Sequence, residues 1–116
     1  DEPAGIAEER RRYLMEKAAR RDRALVERLR DLYAGECQIC SWAPRRLYDQ
    51  ELCEAHHVRW LSRGGGDALS NLVLVCPNHH RAIHRRDAPF DFMRNGFVFG
   101  KALESLTAMR HSLDEE

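Results

Sequence analysis

The sequence lacks any excess of charge: Lys plus Arg and Asp plus Glu both number 19 in 116 residues. No global positive field therefore draws the chain to nucleic acid, and phosphate affinity must come from local arginines or from another domain. It also lacks long apolar runs. Nothing approaches the roughly 20 residues of a membrane span, and the N-terminus carries no signal-peptide core, so a cytoplasmic protein without membrane attachment is expected. Cysteine is scarce, four in all, and with no secretory signal these thiols suit metal ligation better than two disulfides. A single domain of this length has a modest core that gains from a staple such as bound metal.

Residues 6–34 contain neither Pro nor Gly and are rich in charge, which predicts a long N-terminal helix. Leu14, Ala18, Leu25, Leu29 and Leu32 mark its narrow apolar face, and Gly35 is its C-terminal stop. Glu16 with Arg20, and Glu27 and Asp31 with neighbouring arginines, fit a solvated outer face, as does the run Arg10–Arg12. The helix either packs one side on the domain or leads in from an upstream one. The chain begins at Asp1 rather than Met, as a piece of a longer protein would. Residues 1–35 thus read as helix or connector, and 36–116 as the functional domain.

Residues 36–46 read as a loop, Leu47 to Val58 as extended chain, and Arg59 to Ser70 as a loop around Gly64-Gly65-Gly66. The β-branched run Leu72-Val73-Leu74-Val75 is a strand, followed by a helix from Pro77 to about Arg86. Phe90 and Phe92, then Phe97 and Phe99, flank Asn95-Gly96 and predict a hairpin whose rings serve core packing rather than base stacking. Lys101 to Leu113 reads as a final amphipathic helix through Leu103, Leu106 and Met109. The fold class is therefore α+β.

Metal-competent side chains then crowd into ordered spacings. Cys37-x-x-Cys40 and Cys76-x-x-His79 are two half-sites with the spacing of a zinc knuckle, which suits a closed tetrahedral structural site. Cys53 is the loose thiol, either a core residue or a replacement for His79. Five of the six histidines fall between residues 56 and 84. His80 and His84 are four apart, so a helix places them on one face, about 40° apart in azimuth, whereas His79 lies about 100° from His80. Adjacent histidines can thus serve two different metals. Two helical histidines need a third ligand, which His56 or His57 supplies. Neighbours on a strand face opposite ways, so one of that pair is a ligand and the other faces solvent or a water to be activated.

The order His56-His57, Gly-rich loop, Asn71, His80 and His84 resembles the HNH, or ββα-metal, endonucleases. The Cys37/Cys40 and Cys76/His79 pairs look like the zinc knuckle that many members carry. The resemblance spans about residues 36–86. It implies a small ββα-metal, treble-clef-like core at about 52–86 with a structural zinc, here flanked by the N-terminal helix, the hairpin and the C-terminal helix. It also implies a metal-dependent DNA endonuclease. By position, His57 would be the general base; His56, His80 and His84 would hold the catalytic ion; Asn71 would brace the loop and orient the base or approach the metal. A loop carbonyl would fix the tautomer of His57. Arg59, Arg63, Arg81 and Arg85 are the candidates for flanking phosphates.

Two positions depart from the family pattern. His79 stands where the knuckle's last Cys is usual, and His56 where an Asp is common. An all-imidazole site shifts preference from Mg²⁺ towards Mn²⁺, Co²⁺, Ni²⁺ or Zn²⁺. The alternative reading is a non-catalytic zinc module that binds nucleic acid or protein; it has no use for His56, His57, His80 and His84. No element reads DNA sequence, so an upstream targeting domain is expected, with a modification-dependent restriction enzyme as one candidate parent. Cutting both strands with one site per chain calls for two copies, which makes a homodimer a further expectation.

Overall fold

The computed structural model describes residues 23–59 and 68–114. It opens in a helix, α1, over residues 23–32. Leu29 is buried, with Leu25 and Leu32 packed beside it, as the apolar stripe predicts, and Tyr33, which that stripe did not include, is buried as well. Leu14, Ala18, the Arg10–Arg12 run and the Glu16/Arg20 pair lie outside the described residues. Gly35 ends the turn after α1 at φ +73, donating its N–H to the Arg30 carbonyl at 2.8 Å. A Cβ there would press within 3.0 Å of both Arg45 Cβ and Glu51 Oε2, so the stop also permits close packing. The charges of α1 are not all left to solvent. Arg30 donates to the Cys53 carbonyl at 3.1 Å, and Asp31 pairs with Arg45, which also binds Glu51.

The extended chain expected from Leu47 starts later than its sequence suggests. Pro44–Tyr48 form one helical turn, α2, because Pro44 presets the first helical position and Asp49 closes the turn in the left-handed region at φ 54. Strand β1 is Glu54–His57, and it pairs antiparallel with β2, Leu72–Val75, setting His56 opposite Val73 and His57 opposite Leu72. A 3₁₀ turn over Leu69–Asn71 leads into β2, whose four residues are all buried. Helix α3 is Pro77–Arg86, as the sequence predicts. Cys76 caps it by accepting the His79 N–H on Sγ, and Asp87 ends it at φ 47.

The hairpin is present, but it has a third strand. β3, Phe90–Asp91, pairs with β4, Gly96–Phe99, so the connection is the four residues 92–95 rather than a two-residue Asn-Gly turn. Gly96 stands inside β4 where a Cβ would lie 2.8 Å from the Glu104 carbonyl, so close strand approach is its reason. The expected C-terminal helix from Lys101 to Leu113 does not form. Ala102–Ser105 are instead strand β5, paired with β4, and the chain beyond is irregular. The local signal was Gly100-Lys101, a two-residue loop between Phe99 and Ala102 with Gly100 at φ +62. Pairing with β4 then outweighed a helical pattern that lacked an N-cap.

One buried side chain ties these layers together. Gln38, wholly buried, donates its backbone N–H to the Leu74 carbonyl at 2.8 Å while its Oε1 accepts the Leu74 N–H at 2.8 Å. Its Nε2 donates to the Ala108 carbonyl at 3.0 Å, and its own carbonyl accepts from both the N–H and the hydroxyl of Thr107. Gln38→Leu would leave the Leu74 N–H and the Ala108 carbonyl without partners. At about 1–3 kcal/mol for each orphaned group, the expected loss is about 2–4 kcal/mol. Urea denaturation checks it; a midpoint equal to wild type would refute the role. Among the described residues no helix is long and apolar enough to cross a membrane.

Candidate active site

Two clusters of metal-competent atoms flank α3. In the first, the donor atoms of Cys37, Cys40, Cys76 and His79 all lie within 4.8 Å of one another. Cys37 and Cys40 sit on a turn closed by the Cys37 N–H donating to the Trp42 carbonyl at 3.0 Å. Cys76 and His79 sit at the start of α3, with His79 Nδ1 3.2 Å from Cys76 Sγ and 4.0 Å from Cys37 Sγ. Backbone N–H groups of Ile39 and Cys40 aim at Cys37 Sγ, and that of His79 at Cys76 Sγ, at 3.4–3.5 Å. Such donors favour thiolates over thiols. Desolvation, followed by the neighbouring Cys37 and Cys76 and opposed by the Trp42 N–H, pushes the Cys40 thiol up to about 12, and a bound cation would offset that shift. The donor set is compatible with zinc.

Cys53 is not in this set. It is fully buried, its Sγ faces the Trp42 carbonyl at 3.9 Å, and burial, aided by the three other cysteines, pushes its thiol up to about 12. It is a core thiol, and His79 supplies the fourth donor atom of the cluster.

The second cluster is His56, His80 and His84, again with donor atoms within 4.8 Å. The helical spacing brings His80 Nε2 to 3.1 Å from His84 Nε2, and their ring centroids to 4.7 Å. The pleat of β1 turns His56 towards them, its ring 5.2 Å from that of His80 and 5.0 Å from that of His84. Phe97 of β4 supports His56 from below at 5.5 Å. His56 is 2 % exposed, and its Nε2 is buried with no hydrogen-bond partner. An orphaned imidazole nitrogen is costly unless something completes it, and a metal ion would. Burial first, then the neighbouring His80, His84 and His57, lowers His56 to about 3, which keeps the ring neutral with a lone pair to offer. Burial and His80 likewise lower His84.

His57 stands apart from this cluster. It is half-buried at the end of β1, on the opposite face of the strand from His56. Asn71 fixes the backbone that follows it. The Asn71 carbonyl accepts the Val58 N–H at 2.9 Å, while its side chain accepts the Arg59 N–H and donates to the Arg59 carbonyl, both at 2.8 Å. That clamp fixes the backbone at Val58 and Arg59, directly after β1. Arg81 lines a cleft of about 260 Å³ with Glu54, Pro77, His80 and His84. Arg59 borders a second cleft beside Phe90 and Phe92, and Arg85 is exposed on α3 outside both linings. Arg63 lies outside the described residues.

Glu54 is the residue of this site that sequence reasoning passed over. Its Oε1 accepts from His80 Nδ1 at 3.3 Å. The signal was available, since a residue two before His56 on a strand shares its face.

Comparison with known proteins agrees with this geometry. Residues 37–86 match the sequence pattern of the HNH endonuclease family. A curated relative, the type IV methyl-directed restriction enzyme EcoKMcrA of Escherichia coli (strain K12), is 36% identical over 75 residues, covering 51% of this chain and 27% of that protein. Among solved structures, the modification-dependent TagI restriction endonuclease superposes with a TM-score of 0.60 at 19% identity, covering 78% of this chain and 33% of the other. The chain thus spans about a quarter to a third of the length of these proteins.

Proposed function

Because residues 37–86 match the HNH endonuclease family, we propose that the chain is a member of it and hydrolyses DNA phosphodiester bonds with one divalent ion and a His57-activated water. The convergence of His56, His80 and His84, with a buried and unpartnered His56 nitrogen at its centre, carries this reading. When bound, the ion would neutralise charge building on the scissile phosphate and on the leaving 3′ oxygen. Every other task falls to the chain. His56, His80 and His84 supply three neutral nitrogen donors, a set that favours Mn²⁺, Co²⁺, Ni²⁺ or Zn²⁺ over Mg²⁺. His57 takes a proton from water for in-line attack, leaving 5′-phosphate and 3′-hydroxyl ends. The Asn71 clamp holds the chain after His57, and so the direction from which that imidazole approaches. Arg81, beside His80 in the cleft, holds a flanking phosphate, with Arg59, Arg63 and Arg85 as further contacts along the strand. Cys37, Cys40, Cys76 and His79 hold a structural zinc that fixes the start of α3.

Residues 36–116 form the nuclease domain in this reading. Residues 1–35 lead in from an upstream targeting domain, and α1 lends Leu29 to the nuclease core. The relatives support a parent that selects modified DNA, with the modification read outside this chain. A homodimer would place two such sites on the two strands.

Supercoiled plasmid, modified and unmodified, incubated with the zinc-loaded chain tests the proposal. Nicking should appear with Mn²⁺, Co²⁺ or Ni²⁺, fall away in EDTA, and vanish in His80→Ala. Cleavage that persists in His80→Ala, or a folded parent protein inert with every ion, would overturn it.

A further inference from the structure

We propose that Glu54 is a positioning residue for the catalytic ion, acting through His80; the inference rests on the nuclease reading above. Glu54 and His56 are two residues apart on β1 and share the face that α3 covers. Glu54 Oε1 lies 3.3 Å from His80 Nδ1. An ionised carboxylate only accepts hydrogen bonds, so Nδ1 must carry the proton. A neutral imidazole then has its lone pair on Nε2, the atom 3.1 Å from His84 Nε2 and inside the three-histidine cluster. The opposite tautomer would aim an N–H at the ion. Glu54 therefore selects the form of His80 that can ligate, and stops the ring turning about its bond to Cβ.

Charge points the same way. Three imidazoles leave a bound divalent ion uncompensated, and Glu54 is the one carboxylate among the residues lining the cleft beside the cluster. The contact does little for folding, because the Glu54 side chain is 51% exposed and such pairs are screened by solvent. Metal affinity, not melting temperature, is thus the quantity that separates positioning from mere surface structure.

Calorimetric titration of the zinc-loaded chain with Ni²⁺ tests this. Glu54→Ala should weaken Ni²⁺ binding roughly 10–100-fold, with the melting temperature of the Ni²⁺-free protein unchanged. Glu54→Gln, whose amide oxygen still accepts from Nδ1, should fall between Glu54→Ala and wild type. Cleavage by Glu54→Ala should recover as Ni²⁺ is raised, because the base is untouched. Wild-type Ni²⁺ affinity in Glu54→Ala would overturn the positioning role and leave the nuclease reading standing. Ni²⁺ binding that the double variant His56→Ala, His80→Ala does not disturb would overturn both.

Discussion

His57→Ala should abolish cleavage, by on the order of 10²–10⁴-fold, while fold, zinc content and divalent-ion affinity stay as in wild type. The separation follows from the pleat of β1. His56 and His57 face opposite sides of the strand, and only His56 joins His80 and His84 in the three-imidazole cluster. On the proposed mechanism, removing His57 would therefore take a proton acceptor from the reaction without taking a donor atom from the three-histidine cluster. Removing His80 takes the donor, so His80→Ala should lose ion binding and cleavage together. Single-turnover plasmid cleavage at saturating Mn²⁺, paired with calorimetry of the same samples, distinguishes the two variants. An active His57→Ala protein would mean that another group activates the water.

Cys76→Ser should have the largest effect on stability, leaving the chain unfolded or molten at 25 °C. Cys76 links β2 to α3, caps the helix through the His79 N–H, and lies 3.9 Å from Cys40 Sγ and 3.2 Å from His79 Nδ1. Zinc bound by such a set contributes on the order of 10 kcal/mol at neutral pH, comparable with the whole stability of about 5–15 kcal/mol typical of a domain. Cys53→Ser should by contrast keep any bound zinc, since that sulfur lies outside the four-donor cluster and faces the Trp42 carbonyl at 3.9 Å. Zinc stoichiometry and thermal melts by circular dichroism read out both variants. One bound zinc and a near-native melt in Cys76→Ser would sink the four-donor assignment.

The parts of this molecule legible in the sequence are those that local chemistry determines. Pro77, the Cys76 cap and the four-residue spacing of His80 and His84 act within a few residues, and α3 forms as they dictate. The two donor sets were legible because metal ligands come with fixed spacings. What was hidden depends on contacts distant in the chain. Leu103 and Leu106 satisfy a helical pattern as well as a strand and tail, and only β4 decides between them. Gln38 looks like any loop glutamine until Leu74, Thr107 and Ala108, 36 or more residues away, converge on it. Glu54 likewise acquires a role only when α3 brings His80 alongside.

The two-point pairing of Gln38 with Leu74 has a bearing on how the protein must be handled. β1 occupies one side of β2, and the Cys37–Cys40 turn, through Gln38, occupies the other. The turn that carries two donors of the Cys37/Cys40/Cys76/His79 cluster thus does the work of a third strand. If that turn relaxed, the N–H and carbonyl of Leu74 would lose their partners on a buried apolar strand, an opened sheet edge of the kind that recruits other chains. On the zinc reading, self-association rather than simple unfolding would then be the characteristic hazard of the ion-free protein, and an ion held there would guard solubility as much as shape.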